Sequence, residues 1–259
     1  MDSRTVKELK KIRKAEERFR QRGELREKLE WKAPIEERIP DRLMDSLDRA
    51  FSIAFRTVFN RGSALLDKMI DKDAIKPSDF ETEGELYSAT KRSAGINNSL
   101  NMVWTTAEGV ALGTLGIGIP DIVLWTGMVL KGVYETASRY GYEYESTTER
   151  IFILKLLEAS MYTGEQFDRL NAEIELGMVD TLSVIPNEAD VEDQVELTAK
   201  AFATDMLVTK FIQSIPVVGV VGGITNPLYY NRVMKYVHLE YRKRYLLDTE
   251  RKPRIENQV

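Results

Sequence analysis

The chain has 259 residues, 43% hydrophobic and 30% charged, with one histidine and no cysteine. That length supports a sizeable core, and the missing cysteine excludes disulfides, thiol nucleophiles and thiolate-ligated metals and fits a reducing compartment. The net charge of −4 hides an uneven distribution: residues 1–32 carry 12 Lys/Arg against 7 Asp/Glu, residues 228–259 carry 8 against 4, and residues 33–227 carry 17 against 30. Basic ends on an acidic body point either to an anionic partner at the termini or to two solvated helices.

The N-terminus has no apolar segment of the kind a secretory signal requires. Val6, Leu9, Ile12, Ala15 and Phe19 recur at three- and four-residue spacing among Lys, Arg and Glu, which predicts a basic amphipathic helix over residues 3–30. Its apolar face is thin, so it docks on the body or lies on a membrane surface. Asp41, after Pro40, is placed to cap a second helix whose stripe is Leu43, Leu47, Phe51, Phe55 and Val58, continued by Leu65, Leu66 and Met69. Residues 71–84 read as a polar loop; their acids lack the glycine and ligand series of a calcium loop, and no metal is expected.

A third helix is predicted over about residues 85–109. It carries Ser93, Asn97, Asn98, Ser99, Asn101, Thr105 and Thr106, small polar groups that either bond neighbouring helices or line a polar cavity around Asn97, Asn101 and Thr105. Further helices are expected over residues 122–140, with Gly141 just past the end, from Thr147 or Thr148 with Ser146 as an alternative cap, from Asn187 onward, and over residues 228–247. Residues 163–186 look less regular. No period-two alternation recurs, so the expected fold class is all-α, a multi-helix bundle.

Two nearly uncharged runs stand out. Residues 109–130 hold one charge, Asp121, and residues 211–230 hold none; both contain G-x-x-x-G, as Gly109…Gly113 and Gly219…Gly223. Each is long enough for a bilayer, yet each is broken, by Pro120–Asp121 in the first and by Pro216 and Asn226–Pro227 in the second. Proline and aspartate suit the first turn of a new helix, and Asn226 can cap one that Pro227 begins. The runs therefore read as two glycine-rich helical hairpins, with bends at Gly113, Gly116 and Gly118 and at Gly219, Gly222 and Gly223. They either pack in a core or insert shallowly into lipid. The first is not a phosphate loop: it lacks the dinucleotide and G-K-[ST] fingerprints, follows no strand and places Asp121 where an anion would sit.

In the last helix Arg232, Lys235 and Arg242 share a face, near His238 and interleaved with Tyr229, Tyr230, Tyr236, Tyr241 and Tyr245. Basic and tyrosine residues beside an apolar run suit a membrane–water interface; the alternative is an ordinary amphipathic helix with half-buried tyrosines. The acidic body argues against nucleic acid. A single histidine, no cysteine and no G-x-S-x-G elbow leave no triad, so no catalytic residue is assigned, with Asp121 the one weak candidate and a helix-start role the better fit.

The block 118–160, with Gly118 and Asp121, Tyr140, Gly141, Tyr142 and Glu143, then Glu149, Arg150 and Phe152, resembles the EcsC family. Residues 32–55 and 215–246 are similar to the same family's pattern, so the resemblance spans about residues 31–247 and leaves the basic segment 1–30 outside it. It implies a bacterial, cytoplasmic, helical protein; the family takes its name from a protein encoded beside an ABC transporter whose system affects secretion, and it offers no catalytic residues to carry over.

The expected organisation is a basic amphipathic helix over residues 1–32, one helical domain over 33–247 and a flexible tail over 248–259. The expected function is that of a non-enzymatic, peripherally membrane-associated protein, accessory to a transporter or secretion process. It contacts anionic lipid or a membrane-protein partner through Gly113, Gly116, Gly118, Asp121, Gly219, Gly222, Gly223, Arg232, Lys235 and Arg242, and needs no cofactor. The competing readings are a soluble, hydrolase-like enzyme or small-ligand binder with a pocket near Asp121, Asn97 and Asn101, and an obligate interaction module with a dimer face.

Overall fold

The computed structural model describes residues 3–30, 40–69, 119–179, 186–213 and 225–251. Among these residues the fold is all-α: α1 (Ser3–Glu30), α2 (Asp41–Met69), α3 (Ile119–Arg139), α4 (Thr147–Met161), α5 (Gly164–Val179), α6 (Glu188–Gln213) and α7 (Thr225–Arg251).

The helix ends follow local chemistry. Pro40 offers its carbonyl to the amides of Leu43 and Met44, so Pro40 takes the cap position and Asp41 the first helical one. Arg139 ends α3, and Gly141 (φ +80°) adopts the left-handed conformation just beyond it. Tyr142 N–H then donates to Ala137 O and Gly141 N–H to Ser138 O, the paired closure that consumes the last orphan carbonyls. Ser146 Oγ accepts from Glu149 N at the start of α4, which makes Ser146, not Thr147 or Thr148, the cap. Asn187 Oδ1 accepts from Ala189 and Asp190 while Asp190 reaches back to Asn187 N, a reciprocal cap for α6.

Three expectations are revised. Residues 163–186 contain a full helix, α5, whose Phe167, Leu170, Ile174 and Met178 are buried at three- and four-residue spacing. The last helix starts at Thr225, placing Asn226 and Pro227 inside its first turn. It continues to Arg251, and Asp248 on it accepts from Tyr142 Oη at 2.8 Å, so the ordered chain runs past residue 247.

The helices pack as two rings that share an edge. Successive contacts α2–α3, α3–α7, α7–α4, α4–α6 and α6–α2 close a five-helix ring, and α4, α7, α1 and α5 close a four-helix ring. The five-helix core is aromatic: Phe51, Phe55, Trp125, Phe202 and Tyr229 meet at centroid distances of 5.4–6.5 Å. The smaller ring closes on Phe19, Phe167 and Tyr236, with Ile12 as the second deep anchor of α1. Burial of each such side chain contributes about 1.5–3 kcal/mol. Where α3 crosses α7, Gly132 leaves so little room that a methyl group there would meet the Tyr230 hydroxyl at 2.7 Å.

Candidate functional site

α7 belongs to both rings, and its side chains divide by face. The tyrosines expected at a lipid interface mostly turn inward: Tyr229, Tyr236 and Tyr241 are buried, and each hydroxyl donates within the protein, to Asp205 O, Asn171 Oδ1 and Glu149 Oε1. Only Tyr245 is well exposed, and Tyr230 is half-buried. The physical reason is that α7 is wrapped by α1, α3 and α4, which leaves a single narrow solvent stripe: Asn231, Lys235, His238, Arg242, Tyr245 and Thr249.

Of the three basic residues expected to face a partner, Lys235 and Arg242 lie on that stripe. Arg232 does not: its guanidinium is buried against Asp205, with the closest N–O separation 3.6 Å. Arg242 donates to Glu8 of α1, linking the stripe to the N-terminal helix. Asp121 lies in the first turn of α3, as a helix-start acid would. Gly113, Gly116, Gly118, Gly219, Gly222, Gly223, Asn97, Asn101 and Thr105 lie outside the described residues, and so do the two hairpin bends and the proposed polar cavity.

The motif residues around the α3–α4 corner form a polar lock on α7. Glu149 is 3% exposed and receives two bonds from Arg244 Nη1, at 2.9 and 2.7 Å, and a third from Tyr241 Oη at 2.6 Å. Arg244 is sandwiched by rings, its Cζ 4.1 Å from the Tyr142 centroid and 4.4 Å from that of Phe152. Tyr140 stacks against Tyr241, and Arg150 reaches across to Glu188 at 2.9 Å while lying over Phe59. Burial pushes the hydroxyls of Tyr142 and Tyr241 upward in pKa, so both remain donors. Every polar atom of Glu149 is thus engaged, which suits a structural joint.

A second polar cluster lies where α1, α5 and α7 meet. Lys243 Nζ donates to Glu16 of α1 at 2.7 Å and to Glu175 of α5. Glu240, fully buried, has its nearest carboxyl oxygen 3.8 Å from that ammonium and no hydrogen-bond donor on either oxygen. Burial, opposed by Lys243 and reinforced by Glu16 and Glu175, raises its pKa well above the ordinary carboxylate value. This cluster escaped the sequence reading because three acids spread over 225 positions share nothing visible in the chain. Among the described residues no group of acids or histidine is arranged to hold a metal ion.

The outer face of α1 is strongly cationic. Lys7, Lys10, Lys11, Arg13, Lys14 and Arg18 are exposed on it, and Lys7, Lys10 or Lys11, Lys14 and Arg18 succeed one another at helical spacing. The exposed acid over residues 3–21 is Glu17. Glu8 is held below the ordinary carboxylate pKa by its bond to Lys11, with Arg242 and Lys7 also close, so the cationic surface passes from α1 onto α7. There it reaches His238, whose pKa is lowered by burial and by the nearby Arg139. In the other ring α6 exposes Glu188, Asp190, Asp193 and Glu196, so charge is separated across the molecule.

The chain matches the model of the EcsC protein family over residues 3–246. It therefore belongs to that family, and the match includes α1, which the sequence resemblance had left outside. No curated protein and no solved structure matches it.

Proposed function

We propose that this EcsC-family protein is a non-enzymatic, peripheral protein that rests on the anionic surface of a membrane through the outer face of α1. The observation that carries the reading is the stripe Lys7, Lys10, Lys14 and Arg18, flanked by Lys11 and Arg13 and extended by Arg242. Each lysine or arginine near an anionic leaflet contributes about 1 kcal/mol of attraction. The acids of α6 orient the molecule, turning the basic face toward negative lipid. No helix among the described residues is long and apolar enough to cross a membrane, which fits surface contact. An accessory role beside a transporter or secretion system follows as the wider expectation.

Vesicle flotation tests this. The full chain is expected to float with vesicles containing phosphatidylserine at low salt, not with pure phosphatidylcholine, and to be released as salt rises. Replacing Lys7, Lys10, Lys14 and Arg18 together by glutamine is expected to lower the partition by two orders of magnitude or more, since roughly 4 kcal/mol of attraction is removed. Folded protein that stays unbound at low salt, or a variant that binds as well as the parent, ends the proposal.

A further inference from the structure

The cluster at α1, α5 and α7 has too many acids. Among the described residues Lys243 is the one cation in it, and Glu16 and Glu175 already occupy that ammonium. Glu240 is a third carboxyl, fully buried, with no donor from any neighbour and Lys243 at 3.8 Å. The groups that face it are Glu16 from α1, Glu175 from α5, and Lys243 and Tyr236 from α7; the Tyr236 hydroxyl is turned away, donating to Asn171 Oδ1 at 2.6 Å. Glu16 and Glu240 both approach the Lys243 ammonium, at 2.7 and 3.8 Å.

Three ionised carboxylates around one ammonium leave the buried, unbonded Glu240 without a matching charge. A proton on Glu240 removes that buried charge. The shared ammonium links α1, α5 and α7, and α1 packs chiefly on α7 and α5. With α1 removed, Glu240 would be uncovered, lose the neighbouring Glu16 and give up the proton to water.

We propose that Glu240 is held protonated at the α1–α7 interface, and that the docking of α1 is therefore coupled to the uptake of that proton. The strap holds more tightly as pH falls toward the carboxylate range and loosens as pH rises. The inference is independent of lipid binding: it concerns how α1 is held, whatever its outer face meets.

Two measurements on the full chain without lipid test it. Infrared spectroscopy of the parent protein is expected to show the carbonyl stretch of a protonated carboxylic acid persisting above the pH at which ordinary carboxylates lose it, absent in Glu240→Gln. In Glu16→Gln the same band is expected to disappear at a lower pH than in the parent. Protection of the α1 amides against exchange, expressed relative to α4 so that the chemical rate divides out, is expected to fall by up to tenfold per pH unit as pH rises above the ordinary carboxylate range. In Glu240→Gln the same ratio is expected to be flat. A parent protein with no such band above the ordinary carboxylate range, a band that survives Glu240→Gln, or an unchanged pH slope of α1 protection in that variant overturns the proposal.

Discussion

Two polar clusters lie one residue apart along α7 and differ in their ratio of acids to cations. Tyr241 and Arg244 face α4, where they meet the single carboxylate of Glu149 with three hydrogen bonds. Glu240 and Lys243 face α1 and α5, where one ammonium meets three carboxyls. Glu149 and Glu240 are both buried, so the low-dielectric penalty for an unpaired charge applies to each. The matched cluster meets it with fixed partners and joins the two rings permanently. The unmatched cluster can meet it only with a proton, which ties the attachment of α1 to pH.

The largest expected effect comes from unmatching the balanced cluster. Arg244→Met leaves Glu149 buried without its cation and removes a guanidinium packed between two rings. The expected loss of stability is about 3–5 kcal/mol, measured by urea unfolding. Adding Glu149→Gln to that variant is expected to restore part of it, because the orphaned charge goes as well. A loss below about 1 kcal/mol for Arg244→Met, in the range of exposed pairs, would place this cluster among surface contacts and break the comparison.

A smaller cut separates the hydrogen bond from the ion pair. Tyr241→Phe keeps the ring, which packs against Tyr140, Tyr142 and Phe152, and removes only the hydroxyl that bonds Glu149. A loss of about 1.5–3 kcal/mol is expected for a buried bond to a charged acceptor, read from the same unfolding curves. No loss would mean that the Arg244 pair alone satisfies Glu149.

The sequence carried the fold class and most helix ends, because these rest on local chemistry. Gly141, Ser146 and Asn187 close or cap helices through atoms within five residues of themselves, and spacing alone exposes them. The helix α5 was overlooked although Phe167, Leu170, Ile174 and Met178 repeat correctly, since the acids and Gly177 among them dilute the apolar signal. The role of α7 was less legible. Its basic and tyrosine residues suggested one wet face, but which tyrosines are buried depends on α1, α3 and α4 packing around it, information that no single helix contains. The motif residues Tyr142, Glu149 and Phe152 were singled out by resemblance, while their partner Arg244, about a hundred positions later, becomes visible only when the chain folds.

The mildest prediction addresses the unmatched cluster through global stability. Folding raises the pKa of Glu240 well above its ordinary value of 4.5, so the folded state binds a proton that the unfolded state releases. Below 4.5 both states are protonated and the burial of Glu240 carries no pH-dependent penalty. As pH rises from there toward the folded value, unfolding releases the proton and the parent loses about 1.4 kcal/mol per pH unit on this account. Glu240→Gln keeps the shape, carries no charge in either state and is expected to lack that slope. The stability difference between variant and parent should therefore grow in the variant's favour as pH rises above 4.5 toward the folded-state value, measured by urea unfolding at several pH values. The corresponding pair at the balanced cluster, Glu149→Gln against parent, is expected to favour the parent throughout the same range, because there the charge is matched and the glutamine cannot accept all three bonds. Parallel pH profiles for the two pairs would show that the ratio of acids to cations does not distinguish the clusters.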